Sequence, residues 1–267
     1  MVSRDEDDLP APPDVHMFSA SPAYVGDNSF FGFTSPVSGQ RFRYEMSPTV
    51  GTLSFVTANV DHRRYFFFNP VTLAVRGMHY GYYLGDENDT RLRDGIFMGR
   101  EWLIRGYSYE SYEVSEECPE TGGATAFDAC PALHRLFGSR IAVANFEARL
   151  PLIGVEEFGL INFPYLPTEL AAFFDAGMAW CGSDAPVSPE SSFGSAARCG
   201  PDENGENAED TDVTFSTTSG ERVPVFSAGV SSRFNILGYV ILEVYYAYPF
   251  QRPDKGWHFG FNMAPGW

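Results

Sequence analysis

Trp257-His258-Phe259-Gly260-Phe261-Asn262-Met263-Ala264-Pro265-Gly266-Trp267 closes the chain and alternates along its whole length. Trp257, Phe259, Phe261, Met263, Pro265 and Trp267 fall on one face, and His258, Gly260, Asn262, Ala264 and Gly266 on the other. A period of two is the signature of a strand with one apolar face. Upstream, Val240, Leu242, Val244, Tyr246 and Tyr248 oppose Tyr239, Ile241, Glu243, Tyr245 and Ala247. Phe226, Ala228, Val230 and Phe234 oppose Ser227, Gly229, Ser231 and Arg233. Ala142, Ala144, Phe146, Ala148 and Leu150 alternate with Ile141, Val143, Asn145, Glu147 and Arg149. Phe174, Ala176, Met178 and Trp180 share an apolar side, with Asp175 on the other.

Less regular strands are expected over about 17–25, 40–48, 54–67 and 71–83. Together these make about nine strands, each near or above the ~9–11 residues that a tilted membrane-crossing strand needs. Soluble sheets use shorter strands, about 5–6 residues. Tyr, Trp and Phe gather at strand ends, as interfacial aromatic girdles do. The fold expected is all-β: an antiparallel transmembrane β-barrel, of which residues 17–267 supply the C-terminal part. A soluble, secreted β-sandwich acting as a binding protein would show the same alternation. Strand length and girdle favour the barrel.

Composition agrees. The 267 residues carry a net charge of -17, with 16% aromatics, 26 glycines and 19 prolines. No apolar run approaches the ~20 residues of a membrane helix, but barrel strands average out polar and escape that criterion. Nucleic acid is excluded as a partner, because phosphate contacts call for basic patches that are absent from the sequence. Residues 1–16 read as an acidic, Pro-rich linker cut from something longer, without the apolar core of a signal peptide.

The connections sort by parity. If the last strand ends in the periplasm, the two very long polar links, 85–138 and 182–221, emerge on the same side, as extracellular loops of outer-membrane barrels do. The cysteines pair naturally within these loops, Cys118 with Cys130 and Cys181 with Cys199, which suits an oxidising compartment. No CxxC or HxxxH spacing suggests a metal site, and no cofactor is expected. The five histidines, His16, His62, His79, His134 and His258, have no Ser or Cys partner at a recognisable spacing. Asp202, Glu203, Glu206, Glu209, Asp210 and Asp212 form an acidic loop that does not match EF-hand spacing.

Three segments resemble the outer-membrane assembly factor and bacterial surface antigen superfamily, the BamA/TamA and two-partner secretion group. Leu103-Ile104-Arg105-Gly106-Tyr107 is similar to the tip of that superfamily's sixth extracellular loop. Gly138-Ser139-Arg140 through Asn145, Glu147, Arg149 and Pro151 resembles the strand after it, and Phe173-Phe174-Asp175-Ala176-Gly177 the next one. Ser227-Ala228-Gly229-Val230, Tyr246-Ala247-Tyr248-Pro249 and the closing aromatic strand follow in the same order.

The resemblance implies that the loop folds back into the lumen, with Arg105, Gly106 and Tyr107 at its tip and Arg105 held by Glu147 and Asp175. Alternation independently puts both acids on the non-lipid face, where a guanidinium can be satisfied bidentately. It also implies that Phe259, Phe261 and Trp267 belong to a signal read by the barrel assembly machinery. The partners implied are outer-membrane lipid, that machinery, and either missing N-terminal barrel strands or an upstream periplasmic domain. The family barrel is of a sixteen-stranded type, so about nine strands are a partial set.

The function implied is insertion or translocation of proteins in the bacterial outer membrane, or anchoring of an upstream domain. The sequence style is also similar to barrels fused behind a TolB-like propeller. No enzyme is expected. A barrel fused to a patatin-like lipase remains an alternative, but the Gly-x-Ser-x-Gly elbow of the catalytic part does not occur in this chain.

Overall fold

The computed structural model describes residues 14, 16–85, 95–112, 133, 135–155, 159–163, 165–182, 224–236, 238–252 and 255–263. Most of the expected linker, much of both long loops, Cys118, Cys130, Cys199, His134 and Trp267 lie outside the described residues, as does the acidic loop from Asp202 to Asp212.

Fourteen strand segments are described: β1 (Met17–Ser19), β2 (Ala23–Asp27), β3 (Phe30–Phe31), β4 (Pro36–Gly51), β5 (Phe55–Phe68), β6 (Val71–Tyr83), β7 (Ile96–Phe97), β8 (Phe137–Gly138), β9 (Arg140–Gly154), β10 (Ile161–Asn162), β11 (Thr168–Trp180), β12 (Val225–Ile236), β13 (Val240–Pro249) and β14 (His258–Met263). One antiparallel sheet runs β4-β5-β6-β9-β11-β12-β13-β14, and β1, β2 and β3 pair in succession along the free side of β4. β10 adds a short parallel pairing at the end of β9, and β7 pairs with β8 apart from the sheet. The fold is therefore an all-β, antiparallel barrel wall. It is not closed, since among the described residues β14 has only β13 beside it.

A sandwich would need two packed sheets, whereas this is one continuous sheet. The single strand expected over 17–25 is two short segments, β1 and β2, because prolines interrupt the ladder. In the register that joins Ser19 to Thr49 and Ala23 to Glu45, Pro22 and Pro48 supply no N–H, so the stretch between is held only by Ala20 N–H to the Pro48 carbonyl and Met46 N–H to the Pro22 carbonyl. β4 also starts at Pro36 rather than near 40, so the turn before it is tighter than expected.

The alternation sorts the two faces. On β9, Ile141, Val143, Asn145, Glu147 and Arg149 are buried, while Phe146 is exposed. On β11, Ala171, Phe173, Asp175 and Ala179 are buried, and Leu170 and Phe174 point outward. Phe259, Phe261 and Met263 of β14 are outward too, as is Tyr246, which stacks on Trp257 at 4.8 Å. An exposed apolar band opposite a buried, charged face inverts a soluble protein and suits a wall with lipid outside.

The sheet curls around its own loop. β4 and β11 are four strand spacings apart, about 19 Å if the sheet were flat. Yet Ser35 Oγ, next to β4, donates to Glu169 of β11 at 2.7 Å. On the inner side, Met98, Leu103, Ile104, Tyr107, Leu136 and Phe137 pack against Ile141, Val143, Ala179 and Val225 of the wall. Hence the largest hydrophobic core lies within the curl, at the end that carries the long connections.

An arginine at Phe174, mid-strand on the outer face, is expected to cost roughly 2–4 kcal/mol of stability in a bilayer. Urea unfolding of Phe174→Arg in lipid vesicles would show it. An unchanged midpoint would mean that this face does not meet lipid.

Candidate functional site in the barrel lumen

The chain from Gly99 to Tyr112 leaves the β7–β8 pair, enters the curl and presents Arg105 to the wall. Arg105 is almost fully buried. Its Nε donates to Asp175 Oδ2 and its Nη2 to Asp175 Oδ1, both at 2.8 Å, a fork-on-carboxylate geometry. Nη1 reaches Glu147 Oε1 at 2.7 Å and Glu243 Oε1 at 3.2 Å. The backbone N–H of Arg105 also donates to Asp175 Oδ2, at 3.2 Å. One guanidinium thus ties β9, β11 and β13 together.

Cross-strand register explains the convergence. Arg76, Asn145, Asp175 and Ser227 form one inward row across β6, β9, β11 and β12. The next row holds Ala74, Glu147, Phe173, Gly229 and Ala247, and Glu169, Arg233 and Glu243 lie in a third. The Phe173 ring lies beneath the Arg105 guanidinium, 3.6 Å from ring centroid to Cζ. That ring needs Gly229 opposite it, since a Cβ there would sit 2.8 Å from Phe173 Cζ. Gly177 makes similar room for Ile104, whose Cδ1 a Cβ would overlap.

The neighbouring tip residues are held separately. Gly106 has φ +86°, a conformation L side chains rarely adopt. Its carbonyl accepts from Arg252 Nη1 at 2.6 Å, and Arg252 also bonds Ser111 while lying over the Tyr112 ring. The Tyr107 hydroxyl is 2.9 Å from both the Phe226 carbonyl and Gln251 Oε1, and accepts from the Gln251 N–H at 3.1 Å. Burial pushes its ionisation well above the ordinary tyrosine range, so it stays a neutral donor. Asn145 Nδ2 donates to the Leu103 carbonyl, and Arg76 Nη1 to that of Trp102.

Electrostatics favour the arrangement. Four buried carboxylates, Glu147, Glu169, Asp175 and Glu243, are bridged to three buried guanidiniums, Arg105, Arg149 and Arg233. Burial by itself works against the Arg105 charge, but Asp175, Glu147 and Glu243 outweigh it and hold the guanidinium more firmly protonated than usual.

An all-β wall, alternation that puts charge inside, and an Arg-Gly-Tyr tip clamped in the lumen narrow the possibilities to few families. A family model, the Omp85 superfamily domain, matches residues 14–265. The chain belongs to the Omp85 superfamily. This is a superfamily of bacterial outer-membrane proteins of assembly and translocation. No curated protein matches the chain.

In this Omp85 domain the structure brings together Arg105, Glu147 and Asp175, the three residues expected to meet. Gly106 and Tyr107 lie beside them but bond to other partners. Phe259 and Phe261 face outward on β14, away from the lumen. Cys181 lies just after β11, and the other three cysteines fall outside the described residues. Sequence reasoning missed Glu243, Arg233, Glu169, Arg252 and Gly229. For Arg233 and Glu243 the signal was present, because both fall on the inward parity of their strands. Arg252 sits in a connection, where parity says nothing.

Replacing Arg105 with alanine takes the guanidinium fork from buried Asp175 and a shared cation from Glu147 and Glu243, and is expected to cost about 3–5 kcal/mol. Arg105→Lys should recover only part, because an ammonium cannot make the two-pronged bond to Asp175. Gly106→Ala should cost about 1–2 kcal/mol through its left-handed backbone. Urea midpoints of the three variants in vesicles check this ranking; equal losses for Ala and Lys at Arg105 would contradict the fork.

Proposed function

We propose that this Omp85 domain is the outer-membrane barrel module of a system that inserts or translocates proteins, with the Arg105 tip as the closure of its lumen. The observation that carries the reading is the clamp itself. A barrel serving only as an anchor needs a stable wall, and no loop tip bonded to three strands. Here the tip is held by ion pairs, hydrogen bonds and the apolar packing of Leu103, Ile104 and Tyr107, all non-covalent contacts that can be broken and remade.

The orientation follows from the loops: the end of β14 lies in the periplasm, and the long links 85–138 and 182–221 are extracellular. Disulfides Cys118–Cys130 and Cys181–Cys199 would then brace those two loops at the cell surface. Upstream strands of the same polypeptide pair with β14 and with the β1–β3 edge, since an unpaired edge in hydrocarbon leaves every other backbone group unsatisfied. Phe259, Phe261 and Trp267 present the alternating aromatic signal that barrel assembly machinery reads.

The test is to express the chain with its upstream coding region, then follow membrane fractionation, heat-modifiable mobility and the levels of other outer-membrane barrels after depletion. The expected result is an outer-membrane protein that shifts on heating and whose loss lowers other barrels or a secreted partner. A membrane-borne, heat-modifiable protein whose depletion changes neither would make it an anchor for an upstream domain. A soluble product would end the barrel reading.

A further inference from the structure

The turn Gly32–Ser35, between β3 and β4, does not stay on its own side of the wall. It folds inward at the end opposite the long loops and reaches β11 and β12. Thr34 and Ser35 are both buried. Ser35 Oγ lies 2.9 and 2.7 Å from Glu169 Oε1 and Oε2, and Thr34 Oγ1 donates to Oε2 at 3.2 Å. Asn235 Nδ2, at the end of β12, donates to the Phe33 carbonyl, and Arg149 Nη1 approaches the Pro36 carbonyl at 3.4 Å. The seam between turn and wall, lined by Phe33, Val37, Phe67, Ile153, Pro167 and Thr168, leaves about 20 Å³ of free space, room for about one water.

Glu169 is the carboxylate of the lumen cluster that lies against the turn. Arg233 Nη1 reaches it at 3.3 Å, while Arg233 Nη2 is nearer to Glu147 (2.8 Å) and Glu243 (3.0 Å). The two hydroxyls therefore supply Glu169 with its shortest bonds. Glu147 Oε1 in turn is shared between Arg233 and Arg105. A continuous chain of hydrogen bonds runs from the turn, through Glu169, Arg233 and Glu147, to the loop tip.

We infer that Gly32–Ser35 is a strap that seals this end of the ion cluster from water, and that its hold on Glu169 sets how readily the Arg105 tip leaves the wall. Release of the tip takes both guanidinium bonds from Asp175, which keeps the Asn145 amide, and removes one cation from Glu147 and Glu243, which keep Arg233. In a dry cluster that is expensive, because a buried carboxylate that loses its cation is left poorly compensated. With the strap lifted, water enters and solvates the abandoned carboxylates, and the same pairs approach the small worth of exposed ones. The two ends of the lumen are thus coupled by hydration. This holds for a translocating and for an anchoring barrel alike, since it rests only on the wall and the loop.

The experiment is peptide-resolved hydrogen exchange on the intact protein in lipid nanodiscs. Thr34→Val with Ser35→Ala removes both hydroxyls at nearly constant volume. Exchange across 103–107 is expected to rise about tenfold or more, the equivalent of losing one charge-assisted hydrogen bond, while strands β9 and β11 keep their protection. Thr34→Ser with Ser35→Thr retains both hydroxyls and should exchange like the parent. Unchanged exchange at 103–107 in the hydroxyl-less variant overturns the inference. So does a rise spread evenly over the strands, which would mark general loosening. Heat-modifiable mobility checks insertion first; if the double variant fails there, Ser35→Ala alone is measured against the same criteria. A parent protein that is not heat-modifiable would fail the barrel reading, a separate outcome.

Discussion

A guanidinium taken out of water has to be met on every side by carboxylate or carbonyl oxygen, and the lumen of this barrel is arranged around that demand. Arg105 satisfies its fork on Asp175 and its remaining nitrogen on Glu147 and Glu243. The wall pays attention to its face as well: Phe173 lies under the cation, and Gly229 leaves the space that Phe173 occupies. Glu147 and Glu243 also pair with Arg233 of the wall, but Asp175 takes its guanidinium fork from the loop. The loop in turn is fixed by the acids as well as by its apolar packing. Breaking a buried pair is costly because of what is left behind, so loop and wall are each a condition of the other.

Two solvents shape the strands. Outside, Phe146, Phe174, Val230, Tyr246, Phe259 and Phe261 form an apolar surface that would be a liability in water. Inside, the end near the long loops is filled by an apolar core built on Met98, Ile104, Tyr107 and Phe137, and the middle by the ion cluster. A lumen of this kind is packed rather than open on the wall described. Its two halves differ in chemistry: dispersion holds one, charge pairing the other.

Much of this was legible beforehand, and the exceptions have physical causes. Period-two alternation located every long strand and assigned Glu147 and Asp175 to the inner face, because one residue of slip would invert a whole strand. It could not reveal which inward charges meet, since that depends on stagger between strands. Arg233 and Glu243 were visible as inward residues but not as partners of Arg105. The broken first strand was missed because Pro22 and Pro48 act together across a ladder, though they are far apart in sequence. The inward turn at Thr34 and Ser35 falls between the strands expected over 17–25 and 40–48, where alternation says nothing. Short polar residues there signal a turn equally well whether the turn faces water or a carboxylate.

The positions of the clamp's partners along the chain have an effect on how the structure is reached. Arg105 precedes all three of its carboxylates, at 147, 175 and 243. As the polypeptide emerges from amino to carboxyl end, the loop is delivered before any of its receptors exists. Glu147 becomes available with β9 and Asp175 with β11, but the third comes only with β13. The clamp therefore gains its third contact only with β13. A chain cut short before residue 243 would hold its loop by Glu147 and Asp175 alone, and would also lack the carboxylate that Arg233 and Arg105 share on β13.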